Sequence, residues 1–313
     1  MTDLSLSSWR VFLAVPRAQQ PDALRTWLDA LPPEQPKEAW NAAFGEGSLF
    51  DAWTRSSLVQ ALHGQNARAI TAHLQGRTGW RALEIGGGDG RLWTHADLAG
   101  PGTLVVIDPV AEAGERVRAR IAAAGLTDVA VEFLCARVED VLDEPVWHDL
   151  DVVVCSLTLH HLAGADAAER LAHGLLGPGK LEVLRTVHDA LAADGLFLVN
   201  EADIHCDVQI PPGPLLAERL LDSYVRRCAG SLLHDIATRA DADDDLRARW
   251  ASITRHWCLE QLAYADVPLA ERDVYELDVT RWLALFARAG LQVHDHAFTD
   301  ASNLFHRYVL GRS

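Results

Sequence analysis

Lysine is almost absent from this sequence. Of 28 basic residues only Lys37 and Lys180 are lysine, and the rest are arginine. Alongside abundant alanine, that bias fits a GC-rich coding sequence better than an arginine-built binding surface. Basic charge is scarce altogether, because 44 acidic side chains leave a formal net charge of −16. Tracking a nucleic-acid duplex needs a concentrated basic face, so no nucleic-acid partner is expected. Long apolar runs are missing as well, and none approaches the ~18 residues that a membrane-spanning helix requires. The stretch Val11 to Val15 is short and has no basic flank ahead of it, so it does not read as a secretion signal. The cysteines, at 135, 155, 206, 228 and 258, form no C-x-x-C pair. Cys135 and Cys155 lie inside apolar runs and are expected as buried small hydrophobes. A reducing, cytoplasmic setting is the simplest expectation.

What is present is the composition of a globular protein. The 313 residues are 49% hydrophobic and 23% charged, enough for one large or two ordinary domains with a substantial core. Residues 1–76 read as helical, with a break at Pro32, Pro33 and Pro36. Leu49, Trp53, Leu58, Leu62, Ile70 and Leu74 are spaced for one or two amphipathic helices, and Gly76 and Gly79 close that stretch.

Residues 77–201 change texture. RALEI, TLVVID, VAVEFLC, DVVVCS and GLFLVNE are short apolar runs of strand character, separated by helical stretches at 110–124 and 178–192. Strands alternating with helices predict a parallel sheet covered on both faces. From 202 to 275 the strand signal disappears; PPGP at 211–214 interrupts the chain, and DADDD at 241–245 reads as a solvated loop or helix start. The α/β texture returns over 276–313, with a helix at 278–289 and the strands LQVHDHAF and FHRYVLG. The middle region is therefore expected as a helical insertion into one domain.

The most informative string is ALEIGGGDGRL, residues 82–92. A strand ends at Ile85, Gly86, Gly88 and Gly90 alternate, and a helix follows. Absent side chains let the backbone approach a ligand at the carboxyl end of a sheet, where open α/β folds bind. The string has no G-K-[ST], which excludes a phosphate-binding P-loop, and its glycine spacing is not G-x-G-x-x-G.

The pattern E-x-G-x-G-x-G, with Glu84 at its head, resembles the first motif of the class I S-adenosylmethionine-dependent methyltransferases. TLVVID ends in Asp108, where that family places an acid on the ribose hydroxyls. Taken alone, an Asp before Pro109 is an ordinary turn residue. The third strand runs into Cys135-Ala136-Arg137, where the family contacts adenine, although its usual acid is replaced here by Arg137 with Glu139 following. DLDVVVCSLTLHHL (149–162), LAADGLFLVNE (191–201) and FARAGLQV (286–293) are similar to later family segments, in the expected order.

The resemblance implies a Rossmann-like α/β fold: a mostly parallel seven-stranded sheet with helices on both faces, N-terminal helices and a helical lid. It implies S-adenosyl-L-methionine as cofactor, held by Glu84, Gly86, Gly88, Gly90, Asp108, Ala136, Arg137 and Ser156. His160 and Glu201 fall where polyketide-type C-methyltransferases carry a His–Glu dyad. In other relatives such histidines only cap a helix or line the pocket.

Other features allow more than one reading. His234 and Asp235, with His294 and His296, could form a His/carboxylate metal site like that of metal-assisted methyltransferases of α-keto acids, but no ligand spacing supports it and no metal is expected. His294 and His296 alternate on a strand and should share one face. Trp9, Trp27, Trp40, Trp53, Trp250 and Trp257 lie outside the α/β part, where they either close an apolar pocket or pack the helices together.

The expected activity is C- or O-methylation of a small molecule in specialised metabolism, within an enclosed pocket. The alternative is a cyclase on the same fold that makes azetidine-2-carboxylate and methylthioadenosine from the cofactor. No self-complementary pattern decides between monomer and homodimer.

Overall fold

The computed structural model describes residues 48–162, 179–203, 227–264, 277–300 and 302–312, with isolated positions elsewhere. Pro32, Pro33, Pro36, Cys206, residues 211–214, Trp9, Trp27 and Trp40 lie outside them. The elements in chain order are α1 (Ser48–Thr54), α2 (Ser57–Leu74), β1 (Trp80–Ile85), α3 (Arg91–Thr94), β2 (Gly102–Ile107), α4 (Ala111–Ala123), β3 (Val129–Leu134), β4 (Leu150–Ser156), α5 (Lys180–Ala190), β5 (Leu191–Ala202), α6 (Gly230–Thr238), α7 (Asp244–Tyr264), α8 (Val279–Arg288), β6 (Leu291–Phe298) and β7 (Phe305–Arg312). Among the described residues no helix is long and apolar enough to cross a membrane.

The chain divides into two compact units. One comprises Leu62–Asp203, Asp273–Thr299 and Phe305–Ser313, and the other Met1–Ala61, Ile204–Arg272 and Asp300–Leu304. In the second unit the described tryptophans pack helices together. Trp53 meets Trp257 edge to face at 4.6 Å, and buried Trp250 donates through Nε1 to the Ala52 carbonyl at 2.7 Å. Within DADDD, the Asp243 carboxylate accepts from the Leu246 amide and so caps the start of α7.

The first unit holds a seven-stranded sheet of order β3-β2-β1-β4-β5-β7-β6. β1 to β5 are parallel, as their apolar runs predict, whereas β7 runs antiparallel to both β5 and β6. The sheet is thus parallel with a mixed edge. One face buries Ile70, Leu74, Leu92, Trp93, Val117 and Ile121 from α2, α3 and α4, and the other buries Leu184, Val187, Trp282 and Phe286 from α5 and α8. Burying a side chain of this size contributes about 1.5–3 kcal/mol. Helix α8 starts where the Asp278 side chain accepts from the Arg281 amide, and its buried Trp282, Leu285 and Phe286 recur at helical spacing.

The chain winds outward through β2 and β3 and then returns to place β4 on the other side of β1. That reversal opens a crevice at the carboxyl ends of β1 and β4.

An ionisable side chain sits inside this core. Glu84 of β1 is buried, and its Oε2 accepts from Trp93 Nε1 at 2.7 Å. Burial raises its pKa to about 8; the Trp93 bond opposes that shift, and the nearby Asp89 and Asp108 add to it. The folded state therefore holds the Glu84 proton more tightly than the unfolded chain does. This contribution is fully present below the ordinary carboxyl pKa and is lost as pH rises towards about 8. Half-buried His63, lowered to about 3 chiefly by desolvation, acts in the opposite sense as pH falls below the ordinary histidine value. The expectation is therefore a difference: Glu84→Gln, which keeps an acceptor for Trp93, gains thermal stability relative to wild type between pH 5 and 8. Parallel melting curves across that range would contradict it.

Candidate functional site

The glycine turn follows β1 directly. Gly86, Gly88 and Gly90 have φ of +72°, +54° and +70°, values that side-chain-bearing residues rarely adopt. A Cβ on Gly86 would collide with the Thr158 side chain, and one on Gly90 would lie 3.0 Å from Val117. Two of the glycines thus answer to packing as well as to backbone conformation. The helix expected after the turn is only the single turn α3, beginning at Gly90.

Asp108 closes the turn onto β2. Its Oδ2 accepts from the Gly88 amide at 3.0 Å and its Oδ1 from the Val110 amide at 2.9 Å. Burial pushes its pKa up, and the two amide bonds work against that shift. A carboxylate has about four lone-pair sites, so each oxygen keeps acceptor capacity beyond these bonds. Asp89, not singled out by the sequence, pins the turn from its other side. It pairs with Arg120 at 2.7 Å and with Arg91 at 3.2 Å. An Asp inside a glycine-rich string gives no hint of partners on two different helices.

The second half of the site lies where β4 ends beside β5. Leu157 takes φ +54°, and its amide donates to the Asn200 carbonyl at 2.8 Å. The chain then turns around one buried carboxylate. Glu201 Oε1 accepts from the amides of Thr158 and Leu159 at 3.1 and 2.7 Å, while Oε2 lies 2.8 Å from His160 Nδ1. A carboxylate only accepts, so the proton between them sits on Nδ1, which leaves Nε2 as the basic nitrogen whenever the ring is neutral. The Glu201 side chain is 1% exposed and that of His160 15%. The pair suggested by sequence is in contact; His161 is exposed beside it, with ring centroids 4.2 Å apart.

Ser156 faces inward. Its hydroxyl donates to Asn200 Oδ1 at 2.9 Å, and Asn66 of α2 donates to the same oxygen at 2.5 Å. Sequence reading missed both asparagines. Asn200 carried a signal, a polar residue within the buried run LFLVNE, whereas Asn66 carried none.

The end of β3 departs from expectation. Cys135 is exposed, not buried, because β3 is an edge strand and the residue lies just past its last paired position. Arg137 pairs with Glu139 at 2.5 Å on the surface, beside half-buried Ala136.

The metal candidates are engaged otherwise. Asp235 Oδ2 and Oδ1 accept from the backbone amide and hydroxyl of Ser57 at 2.6 and 2.5 Å, at the start of α2, while His234 on the same helix is exposed. His294 and His296 do not share a face. The register slips between Val293 and Asp295, and the extra residue of this bulge breaks the alternation. His294 lies over Gly311, whereas His296 stacks on Tyr308 and meets His306 Nδ1 at 2.5 Å. Among the described residues no three His, Cys, Asp or Glu side chains are grouped to hold a metal ion.

Comparison with known proteins adds a sequence match. Residues 82–179 fit the family model described as a methyltransferase domain. No curated protein matches the chain. Similar solved structures include the mitomycin 7-O-methyltransferase MmcR, at 17% identity and TM-score 0.45, covering 97% of this chain and 75% of that one. The CurJ carbon methyltransferase has 13% identity and TM-score 0.49, over 96% of this chain and 62% of its own. Magnesium protoporphyrin IX methyltransferase from Synechocystis PCC 6803 has 10% identity and TM-score 0.47, over 90% and 100%. Resemblance at that level is too remote to carry argument, and the assignment rests on the family match, the strand order and the glycine turn. On that basis residues 82–179 match a methyltransferase domain.

Proposed function

We propose that this chain methylates a proton-bearing carbon or oxygen of a small, acidic or keto-type molecule, with His160 as general base and Glu201 as the carboxylate that orients it. The observation that carries this reading is the Glu201 carboxyl, which accepts two backbone amides of the β4 turn and the Nδ1 proton of His160 at once. A base is needed only where the acceptor keeps its proton at neutral pH, as carbon acids and hydroxyls do. The charge of −16 and the scarcity of basic residues favour a small molecule over nucleic acid. Nothing in the fold or the comparisons supports the cyclising alternative.

The residues at the crevice suit S-adenosylmethionine. Gly86, Gly88 and Gly90 leave the backbone of the turn bare at three positions, and Asp108 retains lone pairs for two ribose hydroxyls. Glu84 supports the turn from beneath, and Ala136, Arg137 and Ser156 border the remainder of the proposed cofactor site. The bound cofactor supplies an electrophilic methyl group on a sulfonium. The protein's own part is to align the acceptor, exclude water and remove one proton. Taking that proton on Nε2 makes His160 an imidazolium, which the Glu201 carboxylate stabilises through a charge-assisted bond.

Label transfer from methyl-labelled cofactor to a panel of keto acids, enols and phenols, read by mass spectrometry, tests the activity; no labelled product across the panel would count against it. Asp108→Ala should weaken cofactor binding by roughly tenfold to a hundredfold, the equivalent of about 1.5–3 kcal/mol. Calorimetry on the folded variant checks this, and unchanged affinity would remove the ribose assignment.

His160→Ala should slow turnover by about 10²–10⁴-fold with cofactor affinity nearly intact. Glu201→Gln should be comparably slow. The two backbone amides retain its amide oxygen, so its NH₂ turns towards His160 and forces the other tautomer. Turnover, melting and cofactor affinity are measured together for both variants. Near-wild-type turnover in folded His160→Ala would rule out the base.

A further inference from the structure

Lys180 is the first residue of α5 and is fully buried. Its surroundings make this position unfavourable for a cation in two ways. Desolvating an ammonium group is costly, and the first turn of a helix carries the positive end of the dipole. The sequence also uses arginine at nearly every other basic position, with Lys37 the single other lysine. An arginine at 180 would place a planar group with five donors in a space that holds a compact ammonium.

One of its contacts is with the β4 turn. Lys180 Nζ donates to the Leu162 carbonyl at 2.6 Å. Leu162 is the residue that follows the helical turn Leu159–His161, and its side chain is buried in the core beneath α5. The segment carrying His160 is therefore tied down at both ends by buried groups of opposite character. At its start Glu201 accepts the Thr158 and Leu159 amides, and at its end Lys180 donates to the Leu162 carbonyl.

We infer that Lys180 is a positioning residue for His160. By fixing the far end of the turn, it holds the imidazole where Nδ1 meets Glu201 and Nε2 faces outward from that contact. The inference rests on the proposed role of His160. A displacement of about 1 Å in a reacting group can slow a reaction by about 10²-fold, so a tether of this kind is worth keeping despite its desolvation.

The test uses the intact chain loaded with S-adenosylhomocysteine and follows the His160 Nδ1 proton by ¹H–¹⁵N NMR, assigned with His160→Ala. Lys180→Met keeps the length and apolar character of the side chain but removes the donor. It should shift or broaden the His160 signal and lower turnover by about tenfold to a hundredfold, while affinity for S-adenosylhomocysteine stays within about twofold. Lys180→Arg, the second variant should Lys180→Met fail to fold, should not restore the signal. A wild-type His160 resonance in either folded variant would overturn the positioning role. That failure is distinct from failure of the base itself, which would appear as normal turnover in His160→Ala whatever Lys180 does.

Discussion

The Glu201 carboxylate is the constraint around which the site is organised. Burying an ionised carboxyl is tolerable only when its oxygens are well supplied with donors. Here two amides and one imidazole provide them, all from the turn that leaves β4. The same bonds that satisfy the charge shape the turn and select the histidine tautomer. Folding and the proposed chemistry are coupled at this point, because the turn cannot relax without stranding the carboxyl, and the imidazole cannot reorient without losing its contact with it.

The sheet makes that meeting possible. The winding reversal sets β4 between β1 and β5, so the glycine turn, the β4 turn and the end of β5 converge at one edge. Thr158 joins two of them directly, lying against Gly86 while its amide binds Glu201. A side chain at residue 86 would therefore disturb both the turn at the proposed cofactor site and the turn that carries the proposed base. Asp108 and Asp89 secure the glycine turn from the β2 side and the α4 side respectively.

Much of this was legible in the sequence, for physical reasons. Strands buried on both faces are near-continuous apolar runs, and all seven were visible as such or by their alternation. The helices at 111–123, 180–190 and 279–288 fell where the spacing placed them. The failures were of two kinds. A single extra residue in β6 sends His294 and His296 to opposite faces, and nothing in LQVHDHAF distinguishes a bulged strand from a regular one. Cys135 sits in an apolar run but at a sheet edge, and edge position depends on strand order rather than local composition. Long-range partners were equally invisible. Asn66 meets Asn200, and Ser57 caps onto Asp235, across separations that only the fold closes.

The central claim is that Glu201 holds His160 as the Nδ1-protonated tautomer, with Nε2 as its base. The most direct measurement is the imidazole ¹⁵N spectrum of the selectively histidine-labelled wild-type protein above the histidine pKa. The account predicts a protonated Nδ1 and an unprotonated Nε2 for His160, with the Nδ1 proton protected from exchange. A neutral ring protonated at Nε2, or one averaging freely between the two forms, would contradict it.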